Sequence, residues 1–68
     1  MKEYKRCLAE IRIYLNNKEL KLNEKKLDAI ISKELEKPIN EMDTYLIDLC
    51  LNALVAYRTY MSERQKKN

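Results

Sequence analysis

From Tyr45 to Tyr57 the chain reads YLIDLCLNALVAY, and eleven of these thirteen residues are apolar, Asp48 and Asn52 being the exceptions. The spacing predicts a helix over about residues 40–63. At about 100° per residue, Met42, Leu46, Leu49, Ala53, Ala56, Tyr57 and Tyr60 share one face. Ile47, Cys50, Leu51, Leu54 and Met61 share the adjoining one. Only a thin wedge is polar, carrying Thr44, Asp48, Asn52, Thr59 and Ser62, and Val55 intrudes even there. A helix on the surface of a domain needs an apolar arc of roughly 100°, and this arc is about twice as wide. Either the preceding helices straddle this one, or a second copy of the chain packs against it.

The preceding residues supply two shorter helices. Tyr4, Cys7, Leu8, Ile11 and Leu15, with Tyr14 at the edge, recur at three- and four-residue spacing and predict a helix over about 2–16. Asn16-Asn17 is its expected stop, since Asn tolerates the left-handed conformation where Gly is missing. Lys18 to Leu22 reads as a connector held to the core by Leu20 and Leu22. Asn23 is the expected N-cap of a second helix over 24–37, whose apolar positions are Leu27, Ile30, Ile31 and Leu35. Glu34 falls against that face and is expected at its rim, paired with a Lys or with Arg58. Pro38 ends this helix, because the residue before proline is pushed out of helical geometry. Asn40 is expected to cap the third helix, with Asp43 completing a capping-box-like exchange. Residues 64–68 are expected to fray. The chain has no glycine and no run with strand alternation. The fold class is therefore all-α: one domain over residues 1–68, a small three-helix bundle with a long C-terminal helix.

A chain of 68 residues forms a modest core, and small domains of this kind add a disulfide, a metal or a second copy. With no His and two Cys, the common zinc sets are excluded, and neither a metal nor a cofactor is expected. Cys7 and Cys50 both fall at apolar positions and are expected as buried, reduced thiols, which favours a cytoplasmic setting. Self-association through the third helix is the expected supplement. That helix spans roughly 39 Å against roughly 22 Å for the others, so its C-terminal part overhangs. The residues expected to make contacts outside the monomer are Leu51, Leu54, Tyr57, Arg58, Tyr60 and Met61. The apolar run falls short of the roughly twenty residues of a membrane helix. Lys2, Lys5 and Arg6 are not followed by the apolar segment of a signal peptide.

Net charge is +3, unevenly spread. Residues 38–57 contain no base and three acids, Glu41, Asp43 and Asp48, while residues 58–68 hold four bases and one acid. The third helix thus begins negative and ends positive, as its dipole prefers. A DNA-reading helix needs cationic or amide side chains near its exposed N-terminus, which this one lacks. The basic contact face available to nucleic acid is Lys2, Lys5, Arg6 and Arg12 on the first helix, interrupted by Glu3 and Glu10. Catalysis has little to stand on: no imidazole base exists, and carboxylates two apart on a helix point in different directions. No small-molecule substrate is expected.

Residues 32–36 read SKELE, which resembles the Ser-Gln-Glu-Leu-Asp signature of the small helical aspartyl-phosphate phosphatases of the bacterial sporulation phosphorelay. Ser32, Glu34 and Leu35 match, Lys33 stands for Gln and Glu36 for Asp, and Pro38 interrupts a helix that the family continues. The resemblance, over about thirty residues, implies a helical hairpin docking on a response regulator, with dephosphorylation served by the position of Glu36. It is the minor alternative. The first expectation is a non-catalytic bacterial regulatory or accessory protein that binds another protein, itself, or both. The second is a nucleic-acid-binding accessory protein using the basic face.

Overall fold

The structure, a computed structural model, describes residues 2–16 and 20–66. Among them are three α-helices, α1 (Lys2–Tyr14), α2 (Glu24–Leu35) and α3 (Thr44–Lys66), with a 3₁₀ turn at Ile39–Glu41 before α3. The domain is all-α, as the periodicity requires.

The chain leaves α1 where Asn16 takes a left-handed φ of 54°. The Leu15 amide still donates to Ile11 at 2.9 Å, and the Asn16 amide donates to Ile13 at 3.1 Å. Asn does here the work for which a helix end usually employs glycine. Asn16→Gly should leave stability unchanged or slightly raised, whereas Asn16→Val should cost about 1–2 kcal/mol, measured by urea unfolding. Asn17, the second half of the expected stop, lies outside the described residues, as do Lys18, Lys67 and Asn68.

Asn23 caps α2 as expected, its side-chain oxygen accepting from the Lys26 amide at 2.9 Å. The helix closes at Leu35 rather than Lys37, and its last turn tightens: the Glu36 amide donates to Lys33 at 3.3 Å and that of Lys37 to Glu34 at 3.1 Å. Pro38 follows with φ −55° and ψ 148°, which cannot continue a helix.

The start of α3 departs from the sequence expectation. Asn40 caps nothing; it lies in the 3₁₀ turn, where the Glu41 amide donates to Pro38 at 2.9 Å. The cap is Asp43, whose Oδ1 accepts from the Leu46 amide at 3.0 Å. A carboxylate three residues along was available for the same purpose, and tertiary contacts to Asp43 select it. At the other end α3 continues to Lys66, past the expected onset of fraying.

Both short helices run antiparallel to α3. Tyr4 packs at a tilt against Tyr57 with ring centroids 5.0 Å apart, while Tyr14, at the other end of α1, donates to Asp43. In α2, Glu24 faces Arg58 at 3.4 Å and Glu34 accepts from the Asp43 amide at 3.1 Å. The two short helices are therefore parallel to each other, and each packs on α3 rather than on its fellow. Parallel neighbours need a connector that returns the full length of α1, roughly 20 Å. Residues 15–23 supply a reach of roughly 30 Å if extended. Leu15, Leu20 and Leu22 turn inward along the way and pack against the core.

The wide apolar arc of α3 is thus straddled within one chain. Leu46, Leu49, Cys50, Ala53 and Leu54 are buried between Ile11 of α1, Leu22 of the connector and Leu27 of α2. The expected overhang is short, because α1 reaches far enough to share a groove with Tyr60 and Glu63. Among the described residues no helix is long and apolar enough to cross a membrane.

Candidate interaction surface

At one end of the bundle the C-termini of α1 and α2 meet the N-terminus of α3. Glu34 fastens this end. Its residue is only 8 % exposed, yet it is fully engaged: Oε1 accepts from Lys37 Nζ at 2.8 Å and Oε2 from the Asp43 amide at 3.1 Å. Asp43 in turn caps α3 through Oδ1 and accepts the Tyr14 hydroxyl proton on Oδ2. One chain of hydrogen bonds therefore ties all three helices. The Lys37 ammonium and the Asp43 amide hold the Glu34 carboxyl below its usual range, and the Tyr14 hydroxyl does the same for Asp43. Tyr14, donating to a carboxylate, is pushed up. Glu34 was expected at the rim with a Lys or Arg58; the Lys partner is Lys37, and Arg58 goes to Glu24.

Around this knot lie five of the seven large apolar side chains exposed among the described residues: Ile13, Tyr14, Leu35, Ile39 and Tyr45. Ile39 is 89 % exposed and Ile13 75 %. Tyr14 and Tyr45 meet edge to face at 5.1 Å, an arrangement suited to their ring quadrupoles. The exposed acids Glu36 and Glu41 flank them, and Lys37 is already neutralised by Glu34. None of these apolar residues was singled out from the sequence as a contact residue. The signal lay in Ile39, an apolar residue beside a helix-ending proline with no periodic partner.

The residues expected to make intermolecular contacts separate. Leu54 is 3 % exposed and belongs to the core of the monomer, so it is withdrawn from the contact set; α2 and the connector bury the face it occupies. Tyr57 is half-buried against Tyr4. Tyr60 and Met61 are half-buried, and only Leu51 and Arg58 are exposed.

The basic face also divides. Lys2 and Arg6 line a groove of about 580 Å³ between α1 and α3, together with Glu3, Glu10, Glu63 and Cys7. Arg6 lies 3.8 Å from Glu10. Lys5 and Arg12 are not part of this groove; Arg12 is half-buried, with its Nε enclosed and unpaired. Three carboxylates beside two cations give a mixed surface, unlike the cationic track that contacts phosphates.

Neither thiol is an activated nucleophile. Burial pushes Cys50 up to about 11, and burial together with Glu10 and Glu3 raises Cys7; both are free. Cys50 is buried as expected, Cys7 only half so. With a disulfide-exchange reagent at pH 8, Cys7 should react promptly and Cys50 only at the rate of unfolding. Two equally fast thiols in the folded protein would contradict this placement. Among the described residues no group of His, Cys, Asp or Glu is positioned to hold a metal ion.

Within the SKELE segment, Ser32, Lys33, Leu35 and Glu36 are exposed, while Glu34 is committed to the knot. Glu36 lies just past the end of α2. The segment ends the first arm of an antiparallel pair, α2 and α3, joined through Pro38. No protein-family model, no curated protein and no solved structure matches the chain.

Proposed function

We propose that the protein is a non-catalytic interaction module that binds another protein through the end where α1, α2 and α3 converge. The observation that carries this reading is the concentration of exposed Ile13, Leu35, Ile39 and Tyr45 around the Glu34–Asp43–Tyr14 knot. Exposed apolar side chains gathered at one place and rimmed by charge are characteristic of docking sites. Glu36 and Glu41, with no free base nearby on residues 38–57, favour a partner whose apolar residues are flanked by Lys or Arg. The knot contributes rigidity, so little ordering entropy is lost on binding.

The test is affinity capture from the native cell, followed by calorimetry with the purified partner. Ile13→Ser with Ile39→Ser should weaken binding at least tenfold without altering the circular dichroism spectrum. Tyr60→Ala, in the groove at the other end, should leave it unchanged. Equal affinity of the double variant and the wild type rules the end surface out.

A further inference from the structure

The face of α3 turned away from α1 and α2 has an arrangement that the core does not explain. Thr44, Asp48, Leu51, Val55, Arg58 and Ser62 are all exposed. Their separations alternate four and three residues, which is the spacing of a coiled-coil seam. Leu51 is 46 % exposed and Val55 62 %, so the centre of the seam is apolar. Asp48 and Arg58 bracket it. Among the described residues Asp48 makes no ion pair, and Arg58 has only the exposed Glu24, at 3.4 Å.

We propose that a second copy of the chain covers this seam, with the two α3 helices antiparallel about a two-fold axis beside Ala53. In that register every seam position meets a complement. Leu51 faces Val55 of the second copy, Asp48 faces its Arg58, and Thr44 faces its Ser62, each contact occurring twice by symmetry. A parallel pair would instead set Asp48 against Asp48 and Arg58 against Arg58, which like-charge repulsion opposes. The charges therefore choose the orientation as well as the partner. Arg58 can serve both Glu24 and the second copy's Asp48, since its guanidinium has five N–H donors. With two apolar side chains per copy at its centre, the contact is a micromolar one rather than an obligate interface. The seam does not use the end surface described above, so this proposal and the proposed function stand or fall separately.

Sedimentation equilibrium from about 10 μM to about 1 mM tests it. Wild type should move from monomer to dimer across that range. Asp48→Arg alone and Arg58→Asp alone should each weaken the dimer at least tenfold, because each sets like charges opposite one another twice. Asp48→Arg combined with Arg58→Asp should restore it. Both positions are exposed, so circular dichroism should report an unchanged fold throughout. Orientation is read by mixing Leu51→Cys and Val55→Cys chains, both carrying Cys7→Ala: the antiparallel pair gives the mixed disulfide in preference to either like-with-like product. A wild type that stays monomeric at the highest concentration overturns the proposal. So does a dimer indifferent to the single charge reversals, or a preference for like-with-like disulfides.

Discussion

Leu54→Asp should abolish the cooperative thermal transition and most of the helical circular dichroism signal. Leu54 is 3 % exposed between α3 and the elements that flank it. Truncating a buried leucine costs about 2–5 kcal/mol, and an unpaired carboxylate left in its place adds to that. A domain of this size has a total stability of about 3–5 kcal/mol, so the variant should be largely unfolded at 25 °C. Leu51→Asp, three residues away on the same helix, should keep its fold because Leu51 is exposed. The pair of variants separates core from surface on α3. A folded Leu54→Asp protein would show that the straddled arrangement of α1 and α2 is incorrect.

The second large effect concerns Glu34. Glu34→Ala removes the acceptor for the Asp43 amide and the partner of Lys37 at once, and it loosens the cap of α3 that Tyr14 also reaches. Loss of a buried acceptor that leaves its donors unsatisfied is costlier than loss of an average hydrogen bond. The midpoint of thermal unfolding should fall by roughly 5–12 °C at pH 7. Glu34→Gln should recover part of this, since an amide oxygen can still accept from Asp43. The pH dependence follows from the depressed carboxyls. Glu34 and Asp43 both titrate below their usual values of 4.5 and 3.8, so in that range the unfolded chain binds more protons than the folded one. Their stabilising effect is complete above about pH 4.5 and is lost as the pH falls through the folded values. Scans of melting temperature between pH 2 and 7 should show this loss in wild type and a shallower one in Glu34→Gln. Identical slopes would mean that Glu34 is not held by the knot.

Legibility in the sequence followed how local each determinant is. The three helices, the Asn23 cap, the left-handed stop at Asn16 and the break at Pro38 were all legible because backbone preference and apolar spacing act over a few residues. The position of the α3 cap was not. Asn40 and Asp43 are both competent caps, and Asp43 prevails because Tyr14 and Glu34 meet it from the two other helices, which spacing along the chain does not encode. Glu34 was visible as a carboxylate against an apolar face, but its partner was not, since a nearby lysine and the distant Arg58 were equally admissible.

The width of the apolar arc on α3 was written in Tyr45 to Tyr57, and with it the requirement that the helix be covered on two sides. The identity of the cover was decided by tertiary structure alone. A connector long enough to run back beside α1 lets α2 lie parallel to it, so one chain supplies both sides, and Leu54 passes from the contact set to the core. The same packing leaves Leu51 and Val55 outside and gathers Ile13, Leu35, Ile39 and Tyr45 at one end. A residue's periodicity fixes the side of the helix on which it sits, but only the placement of neighbouring helices determines whether that side meets protein or water.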